Sequence, residues 1–379
     1  MPFAASSSSR RHLHLIADDL TGALDTAAQF VGVCDTIRAD WRNRAGSGSV
    51  ALDTGARELS AAAAAAALVA RLAQQPFDAD ALHFAKIDTL WRGHPAQEIA
   101  AWLRNGAFAR CLIAPAFPHH GRVTRDGRQF RRGEAGWTQV ETDLATDLQR
   151  LGIAVTPRRP GAAAPDGVSL WDAESDADLD AIVAAGRRND RQTLWCGAGG
   201  LAAALARSLG VTPHATAQLR GPVLGLFGSD QPTTAAQVEA CGQLALAVPD
   251  SSEAGIADIA ARLEREGAAL VHLALPAGLP RDAAASRIAD DFARIIHALP
   301  RPQTLVVAGG ETLRAICTAL DTDHLELVGQ IEPGVPCSIM RGGARDGLTV
   351  VSKSGAFGDR DLLKRLLARI PLPANGVLT

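Results

Sequence analysis

Short apolar runs, each followed by a turn and then by an alanine-rich segment with helical spacing, recur along almost the whole chain. Short runs rich in Val, Ile and Leu are typical of buried parallel strands. Their alternation with helices indicates βαβ units, in which a helix connects one parallel strand to the next. We therefore predict an α/β fold built from two doubly wound, mostly parallel sheets.

The predicted elements form two series, separated by a segment at 210–222 with little periodicity. Strands are predicted at 12–16, 49–52, 82–85, 111–114, 168–170 and 193–196, and then at 223–227, 270–273, 304–307 and 348–351. Helices are predicted at 20–31, 59–73, 95–104, 141–151 and 176–187, and then at 233–246, 281–298, 311–320 and 360–369. Because one core rarely grows to 379 residues, we expect domains at 12–212 and 222–379, after a disordered tail at 1–11.

The composition excludes several classes of protein. With 47% apolar residues, 21% charged residues and a net charge of -3, the chain does not resemble a dedicated binder of nucleic acid or acidic membranes. It has no apolar run of about 18 residues that would span a membrane, and the apolar run after Arg10 and Arg11 is too short for an export signal. Six widely spaced cysteines without a C-x-x-C pair are typical of reduced thiols. We expect a cytoplasmic protein without a metal site of its own.

Two adjacent acids, Asp18 and Asp19, end the first apolar run and precede a Thr-Gly pair and a predicted helix. This order predicts a strand, a turn and a helix, with both carboxylates at the carboxyl end of the strand, where open α/β sheets bind ligands. Neighbouring carboxylates repel each other, so they require a cation, a hydroxyl-rich ligand or solvent nearby. The pair therefore predicts an active site.

A second charged loop follows the predicted strand at 82–85 and contains Lys86, Asp88 and Arg92. Arg92 can bind a carboxylate through two parallel hydrogen bonds. Lys86 can neutralise a phosphate or pair with an acid of the site. The alternative is a structural ion pair between Lys86 and Asp88, with Arg92 at the surface.

Arg57 and Arg122 are further candidates for binding an anionic ligand. Arg57 lies in a turn after the predicted strand at 49–52, and an ordinary turn with a helix cap is the alternative there. Arg122 follows a proline-bounded loop and is the first of five arginines between 122 and 132. We interpret the other four as part of a solvated loop, since the domain is not basic enough to favour nucleic-acid binding.

Three glycine-containing turns mark the second half, and each follows a predicted strand and precedes a helix. The chain has no G-x-x-x-x-G-K-[ST] motif, and no G-x-G-x-x-G motif follows the first strand. The three turns can instead present backbone N–H groups and helix N-termini to phosphate oxygens. Helix capping alone is the alternative. The candidate nucleotide contacts are Ser229, Gly309, Gly310, Glu311, Thr312, Lys353, Ser354 and Gly355.

Taken in order, these motifs resemble the four-carbon acid sugar kinases, a family that uses ATP to phosphorylate the terminal 4-hydroxyl of threonate, erythronate or 3-oxo-tetronate. The matching segments run through most of the chain. They are 17–23, 86–93, 115–122, 198–202, 228–237, 309–312, 333–336 and 353–358. The loop at 88–94 departs from the usual Asp-Ser-Thr-Leu-Arg-Gly-Asn at Leu90, Trp91 and His94. This departure concerns the identity of the substrate more than the chemistry.

The resemblance implies a sugar-acid domain at 12–212 and a nucleotide domain at 222–379, with the active site in the cleft between them. It implies ATP contacts near Ser229, at 309–312 and around Gly355. It places the substrate near a charged set from the first half. That set comprises Asp18, Asp19, Arg57, Lys86 and Arg92.

We accordingly expect ATP with Mg²⁺ to bind on the second-half turns, with Lys353 on its phosphates. Arg92, helped by Arg57 or Arg122 and accompanied by Asp88, is expected to bind the substrate carboxylate. Asp18 or Asp19 is expected to accept the proton of the attacking hydroxyl, with Asp19 favoured, while the other holds a substrate hydroxyl or a water on Mg²⁺.

The expected partners are a small sugar acid and ATP, with no nucleic acid and no membrane, and a homodimer remains open. Two other classes of function are compatible with the same pattern. One is a non-catalytic sensor of a sugar acid and a nucleotide. The other is an NAD(P)-dependent oxidoreductase, although the missing G-x-G-x-x-G motif argues against it.

Overall fold

The computed structural model describes residues 11–42, 44, 47–75, 77–133, 135–188, 191–212, 219–228, 231–276 and 278–370. The helices are α1 (Leu20–Ala28), α2 (Ala61–Gln74), α3 (Pro95–Asn105), α4 (Leu144–Arg150), α5 (Asp176–Gly186), α6 (Gly199–Ser208), α7 (Pro232–Ala240), α8 (Glu253–Glu266), α9 (Arg281–Ala298), α10 (Gly310–Ala319) and α11 (Leu362–Ala368).

The strands alternate with these helices over much of the chain. They are β1 (Leu13–Ala17), β2 (Arg38–Asp40), β3 (Val50–Asp53), β4 (Leu82–Lys86), β5 (Arg110–Ala114), β6 (Arg122–Arg125), β7 (Arg128–Gly133), β8 (Gly136–Gln139), β9 (Val155–Arg158), β10 (Gly167–Trp171), β11 (Thr193–Gly197), β12 (Val223–Phe227), β13 (Ala245–Val248), β14 (Ala268–Leu273), β15 (Thr304–Ala308), β16 (His324–Glu332), β17 (Val335–Arg341) and β18 (Thr349–Lys353).

One large sheet contains most of the described strands, in the order β13-β14-β12-β15-β18-β17-β16-β2-β3-β1-β4-β11-β5-β10-β9. In this spatial order, the strands between β13 and β18 at one end of the sheet pair in parallel, as do the strands between β2 and β9 at the other end. The pairs that involve β17, and the pair of β16 with β2, are antiparallel. The two parallel parts meet where Leu325 and Glu326 of β16 pair with Ala39 and Arg38 of β2. The predicted α/β class with mostly parallel strands is confirmed, and its two parts share one continuous sheet.

The central strands are buried on both faces, which explains their nearly continuous apolar sequences. In β1, Leu15 belongs to a core that also contains residues of α1 and α6, whereas the next residue, Ile16, belongs to a core with residues of α2 and α3. Successive side chains of a strand point to opposite faces, so helices must cover both sides. This doubly wound arrangement leaves the strand ends as the open edge of the sheet.

Most predicted elements are confirmed to within a few residues, and the exceptions have identifiable causes. The helix predicted at 233–246 ends at Ala240, and β13 begins at Ala245 after a turn at Gly242 with φ 56°. The strands β16 and β17 were not predicted, although buried and partly exposed residues alternate along β16 in the manner of a half-buried strand.

The interpretation of 122–132 as a solvated loop is wrong. These residues form β6 and β7, which pair antiparallel and continue into β8 as a separate three-stranded sheet. The turn between β6 and β7 is Asp126-Gly127, and both residues have positive φ, at 48° and 71°. Asp-Gly with two left-handed residues is a strong signal for a two-residue hairpin turn, and this signal outweighs the polarity of the arginines.

The predicted tail and the predicted segment between the domains are only partly covered by the described residues. Of the tail predicted at 1–11, the structure describes only Arg11, which forms an isolated bridge with Cys34. Part of the segment predicted to link the domains, 213–218, also lies outside the described residues, so the domain bounds remain predictions. All six cysteines are buried and unbridged, as predicted. Within the described ranges, no helix has the length and apolar character needed to cross a bilayer.

Candidate active site

The parallel strands β1, β3 and β4 end at the same edge of the sheet, and this edge carries the charged residues. Ala17, the last residue of β1, lies opposite Asp53 of β3 on one side and Lys86 of β4 on the other. Asp18 and Asp19 follow Ala17 directly. The register of the sheet therefore brings together residues that are far apart in the sequence, as expected from the strand ends.

Arg57 binds both members of the acidic pair. Its Nε donates to Oδ2 of Asp18 at 2.7 Å, and its Nη2 donates to Oδ1 of Asp18 at 2.7 Å and to Oδ1 of Asp19 at 2.9 Å. Asp19 is also the N-cap of α1, because its Oδ1 accepts from the Gly22 amide at 2.9 Å and its Oδ2 accepts from Thr21 Oγ1 at 2.6 Å. Both carboxylates are thus fixed in orientation.

Asp88 and Arg92 form a second bidentate pair in the loop after β4. Arg92 donates from Nε to Oδ2 of Asp88 at 3.0 Å and from Nη2 to Oδ1 at 2.7 Å. Arg57 Nη2 lies 3.7 Å from the same Oδ1, which links the two pairs. Asp88 is buried, whereas the Arg92 side chain is 47% exposed. Arg92 is therefore accessible to a ligand from outside the cluster.

Lys86 is buried beside Asp19, at the point where β4 ends. Its Nζ donates to the carbonyl of Ile87 at 3.0 Å. An ideal Cβ placed on Gly22 would lie 2.9 Å from this Nζ and would also collide with Oδ1 of Asp19. Glycine is therefore required in the first turn of α1 for the ammonium and the carboxylate to approach each other.

The electrostatic surroundings give the acids different proton affinities. Burial raises the pKa of Asp18 more than Arg57 lowers it. Burial also acts to raise the pKa of Asp19, but Arg57 and Lys86 together bring it below the usual value. For Asp88, burial is likewise outweighed by its arginine partners, and its pKa is strongly lowered. Asp19 and Asp88 are thus stabilised as carboxylates.

The first turn of α10 brings the second half of the chain against this cluster. An ideal Cβ on Gly310 would lie 3.2 Å from Oδ2 of Asp19 and 3.3 Å from the amide of Thr21. Gly309, the N-cap of α10, has φ 99°, and its amide donates to the Lys353 carbonyl at 3.0 Å. The N-termini of α1 and α10 therefore face each other across Asp19.

A cleft opens at this junction and is lined by residues of both halves. On the second-half side, Phe357 stacks on the His120 ring, with 4.0 Å between ring centroids and 16° between planes. The lining residues are Asp19, Thr21, Gly22, Asp25, Arg57, Lys86, Asp88, Thr89, Ser354 and Phe357. This arrangement can bind a small polar ligand on one wall and a second ligand on the other.

Lys353 is buried behind the cleft rather than exposed within it. Its Nζ donates to Thr234 Oγ1 at 3.0 Å and approaches the carbonyl of Gly355 at 3.4 Å. Burial lowers the pKa of Lys353 to about 7. Its proposed contact with phosphates thus requires the side chain to leave these partners.

The other predicted nucleotide contacts differ in how far their side chains are buried. Ser229 lies outside the described residues. Glu311 is exposed, whereas Thr312 is buried, and its side chain would collide with a Cβ on Gly228. The first turn of α10 is therefore packed against the turn that follows β12.

Arg122 is buried near the cluster, but its guanidinium bonds to its own loop. Its Nη1 donates to the carbonyls of His120 at 2.8 Å and Gly121 at 3.2 Å, and its buried Nε has no partner among the described residues. Burial lowers the pKa of Arg122, and the negative charge of Asp88 partly offsets this effect. The structure thus brings Arg122 close to the substrate candidates without pairing it with them.

Sequence reasoning missed three charged residues of this region. Asp25, in α1, lines the cleft, and Glu98, in the first turn of α3, is buried near Asp18. Arg314, in α10, forms an ion pair with the fully buried Asp53 at the end of β3 and so connects the two halves. Asp25 follows Thr21, which also lines the cleft, by four residues, the spacing of neighbours on one helix face, and this spacing is the signal that could have identified it.

The loop at 88–94, where the sequence departs from the usual family motif, has an unusual backbone. Trp91 is buried with φ 57°, in the left-handed region that a bulky residue rarely adopts. His94 Nε2 forms a hydrogen bond with the Leu59 carbonyl at 2.6 Å. The departing residues thus lie beside Asp88 and Arg92, although none of them lines the cleft in the described structure.

Two models of known protein families match different halves of the chain. The model of a sugar-binding N-terminal domain matches residues 13–150, and the model of a nucleotide-binding C-terminal domain matches residues 224–363. Among solved structures, a protein of Salmonella typhimurium LT2 has a TM-score of 0.68 at 20% identity, over 93% of this chain and 98% of that one. A Haemophilus influenzae protein of the DUF1537 family has a TM-score of 0.64 at 19% identity, over 93% and 99%. These structures share the fold.

Curated relatives align over nearly the whole chain. The D-threonate kinase of Bordetella bronchiseptica is 32% identical, over 93% of this chain and 96% of that protein. The D-threonate kinase of Cupriavidus necator is 30% identical, over 92% and 95%, and the 3-oxo-tetronate kinase of Pseudomonas fluorescens is 28% identical, over 96% and 98%. The resemblance drawn from the motifs is therefore confirmed, and the chain belongs to the four-carbon acid sugar kinase family.

Proposed function

We propose that this protein transfers the γ-phosphoryl group of ATP to the terminal 4-hydroxyl of a four-carbon sugar acid, namely threonate, erythronate or 3-oxo-tetronate. The observation that carries the proposal is the shared cleft, in which Asp19, Lys86 and Asp88 of the first half face Ser354 of the second. The names of the aligned relatives, D-threonate kinase and 3-oxo-tetronate kinase, support the substrate class.

In this proposal the first-half wall binds the sugar acid. Arg92 is the candidate for the substrate carboxylate, because its side chain is half exposed while its partner Asp88 is buried. Arg57 and Arg122 add positive potential, and Asp18 and Asp19 hold Arg57 in place. Hydroxyls of the substrate then find acceptors on the cleft-lining carboxylates.

The second-half turns are proposed to bind ATP. The N-terminus of α10, which begins at Gly310, offers first-turn N–H groups that have no partner within the helix, and the positive end of a helix dipole, to phosphate oxygens. Ser354 and Gly355 are proposed to border the same phosphates. Lys86, which is buried opposite, would offset the negative charge that develops on the transferred group.

Mg²⁺ is proposed to enter with ATP instead of occupying a prepared site. The described residues contain no cluster of three or more acidic, histidine or cysteine side chains that fits a metal. Asp18, which the sequence suggests as a contact to a water on Mg²⁺, accepts hydrogen bonds from Arg57 on both of its oxygens. The chain's own residues therefore perform positioning and charge compensation, and no step is assigned to a protein-bound metal.

An ADP-release assay with threonate, erythronate and their 3-oxo derivatives tests the proposal, with a reaction lacking the acid as the control. We expect release that depends on one of these acids, and ³¹P–¹H correlation NMR of the product should place the phosphate on the 4-oxygen. Binding of both ligands without ADP release would contradict the proposal and favour a sensor. A phosphate at another oxygen would contradict the assigned position.

A further inference from the structure

We propose that Asp25 is the general base that accepts the proton of the attacking hydroxyl. The inference rests on the proposed function and assigns a role to a carboxylate that lines the cleft. Asp25 lies in the second turn of α1, and its side chain is only 5% exposed. It shares the cleft with Lys86 and with Ser354 of the opposite wall.

The position of Asp25 leaves one of its carboxylate oxygens without a hydrogen-bond donor in the described part of the chain. Its Oδ1 is buried and has no hydrogen-bond partner among the described residues. Near Oδ2 lies Gly199, at the start of α6, whose ideal Cβ would be 3.0 Å away. The Phe117 ring lies 2.7 Å from the same position, so a side chain at Gly199 would crowd both Phe117 and Asp25. A buried acceptor without a partner is costly unless a ligand supplies the missing donor, and a substrate hydroxyl is such a donor.

The other acids of the cleft already use their lone pairs. Asp19 accepts from Arg57 and Gly22 on one oxygen and from Thr21 on the other. Asp88 accepts from Arg92 on both oxygens. A carboxylate that is held by several donors is a poor proton acceptor, since each bond stabilises its charged form.

The charges that face Asp25 also suit a base. Burial raises the pKa of Asp25 to about 7, Lys86 acts in the opposite direction and Asp19 adds to the increase. The neighbours from α6 and from the loop after β5, Gly199 and Phe117, are uncharged. A base whose pKa lies near the working pH combines a useful deprotonated fraction with a strong affinity for the proton.

The proposed reaction moves one phosphoryl group and one proton. The oxygen of the substrate hydroxyl forms a bond to the γ-phosphorus of ATP, and the bond between that phosphorus and the β,γ-bridging oxygen breaks. The hydroxyl proton moves to the Asp25 carboxylate and is later released to solvent. The products are ADP and the phosphate ester.

The test compares wild type with Asp25→Asn, which has nearly the same shape and cannot accept the proton. We expect kcat to fall by about 10²–10⁴-fold, with little change in the Kd for ATP. In wild type, kcat/KM for the acid should rise with pH through about 7. This limb of the profile should be absent in Asp25→Asn. Thermal melting of the variant verifies that it is folded.

Asp40→Asn is the matched control. Asp40 is also a buried acid with a raised pKa, but it does not line the cleft. Because its neutral form resembles asparagine, the variant should keep its turnover within a few-fold and keep the pH limb. If Asp25→Asn has wild-type kcat, or retains the limb, the inference is overturned and the limb belongs to another group, such as Lys353. If Asp25→Asn raises KM alone, Asp25 only binds substrate, and the inference is again overturned.

The outcome also separates this inference from the proposed function. A wild-type protein that phosphorylates none of the acids would overturn both. An active wild type with a fully active Asp25→Asn would overturn only the assignment of the base.

Discussion

Arg57 is the residue whose charge holds the acidic cluster together. It contacts Asp18 through two hydrogen bonds and Asp19 through a third, and it lies 3.7 Å from Asp88. Its side chain is 15% exposed, so water cannot readily replace it. Three carboxylates would lose their shared counter-charge if it were removed, and buried charges without a partner are strongly destabilising.

We expect Arg57→Ala to lower the free energy of unfolding by about 3–5 kcal/mol at pH 7.5. The loss should be smaller at pH 4, because protonation of the acids removes the charges that are left unpaired. Urea unfolding at both pH values measures the effect. Arg159→Ala, in an ion pair with Asp126 that is 78% and 80% exposed, is the control and should change stability by less than about 0.5 kcal/mol. Equal losses in the two variants would contradict the expectation.

Burial of Lys353 predicts a stability that increases with pH. Its folded pKa of about 7 lies below the usual lysine value of 10.5. Between these two values the unfolded chain binds a proton that the folded chain does not, so the contribution of Lys353 to stability increases as pH rises. The stability of wild type relative to Lys353→Met should therefore grow by up to about 1.4 kcal/mol per pH unit between pH 7 and pH 10.

Chemical denaturation at several pH values measures this difference. Ser352→Ala, at the neighbouring buried position of β18, removes no titrating group and should give a constant difference from wild type. A constant difference for Lys353→Met as well would mean that Lys353 keeps its proton when folded.

The residues of the site could be predicted only where they follow a strand. Asp18, Asp19 and Lys86 end apolar runs, and the parallel register then brings them together, as the sequence indicated. Asp25 and Arg314 lie inside helices, where the direction of a side chain depends on how the helix packs. The membership of Arg314 depends on tertiary contacts that no local pattern encodes, and that of Asp25 is indicated only by its helical spacing from Thr21.

At the scale of elements, the N-termini of α1 and α10 bring the two halves together at the cleft. The two N-termini approach so closely that a Cβ on Gly310 would lie 3.3 Å from the Thr21 amide. Their partial positive charges both act on the space that Asp19 occupies. The distance between these helix ends therefore sets the geometry in which a phosphoryl group would be transferred.

We expect Gly310→Ala to reduce kcat/KM for the acid at least tenfold. The added methyl group lies 3.2 Å from Oδ2 of Asp19, so the helices must separate by a few tenths of an ångström. Stability should change by less than about 1 kcal/mol, because the better helix propensity of alanine offsets part of the crowding. Steady-state kinetics and thermal melting measure both quantities.

Thr318→Ala is the control for this helix, since Thr318 is exposed at the far end of α10. It should leave kcat/KM unchanged. If Gly310→Ala is as active as this control, close approach of the two helix ends is not required for turnover.

The strands β16 and β17 were not predicted, and the pairing of β16 with β2 is long-range. The alternating pattern of β16 is visible in the sequence, but neither its antiparallel pairing with β17 nor its pairing with β2 follows from that pattern. The second connects residues that are almost 300 positions apart, such as Glu326 and Arg38. Long-range pairing of this kind depends on the whole fold, whereas the βαβ units depend on neighbouring segments.

At the scale of the whole molecule, the continuous sheet predicts cooperative unfolding. The pairing of β2 with β16, the ion pair between Asp53 and Arg314, and the hydrogen bond between Gln29 and Gln330 at 2.8 Å all join the two halves. We expect differential scanning calorimetry of the ligand-free protein to give one transition, with equal calorimetric and van't Hoff enthalpies.

Two separate transitions would contradict this expectation and would mean that the halves unfold independently. Arg314→Met removes one of the joining contacts and tests the cause. It should broaden the transition or divide it, whereas Arg159→Ala should not.

The pairing of β2 with β16 involves few residues, because β2 spans only Arg38–Asp40. A rotation about this short pairing would widen or narrow the gap at the strand ends. The amide of Leu327, which donates to the Ile37 carbonyl at 3.0 Å, lies on this pivot. The rate of hydrogen–deuterium exchange of this amide would then report how often the hydrogen bond between the two halves breaks.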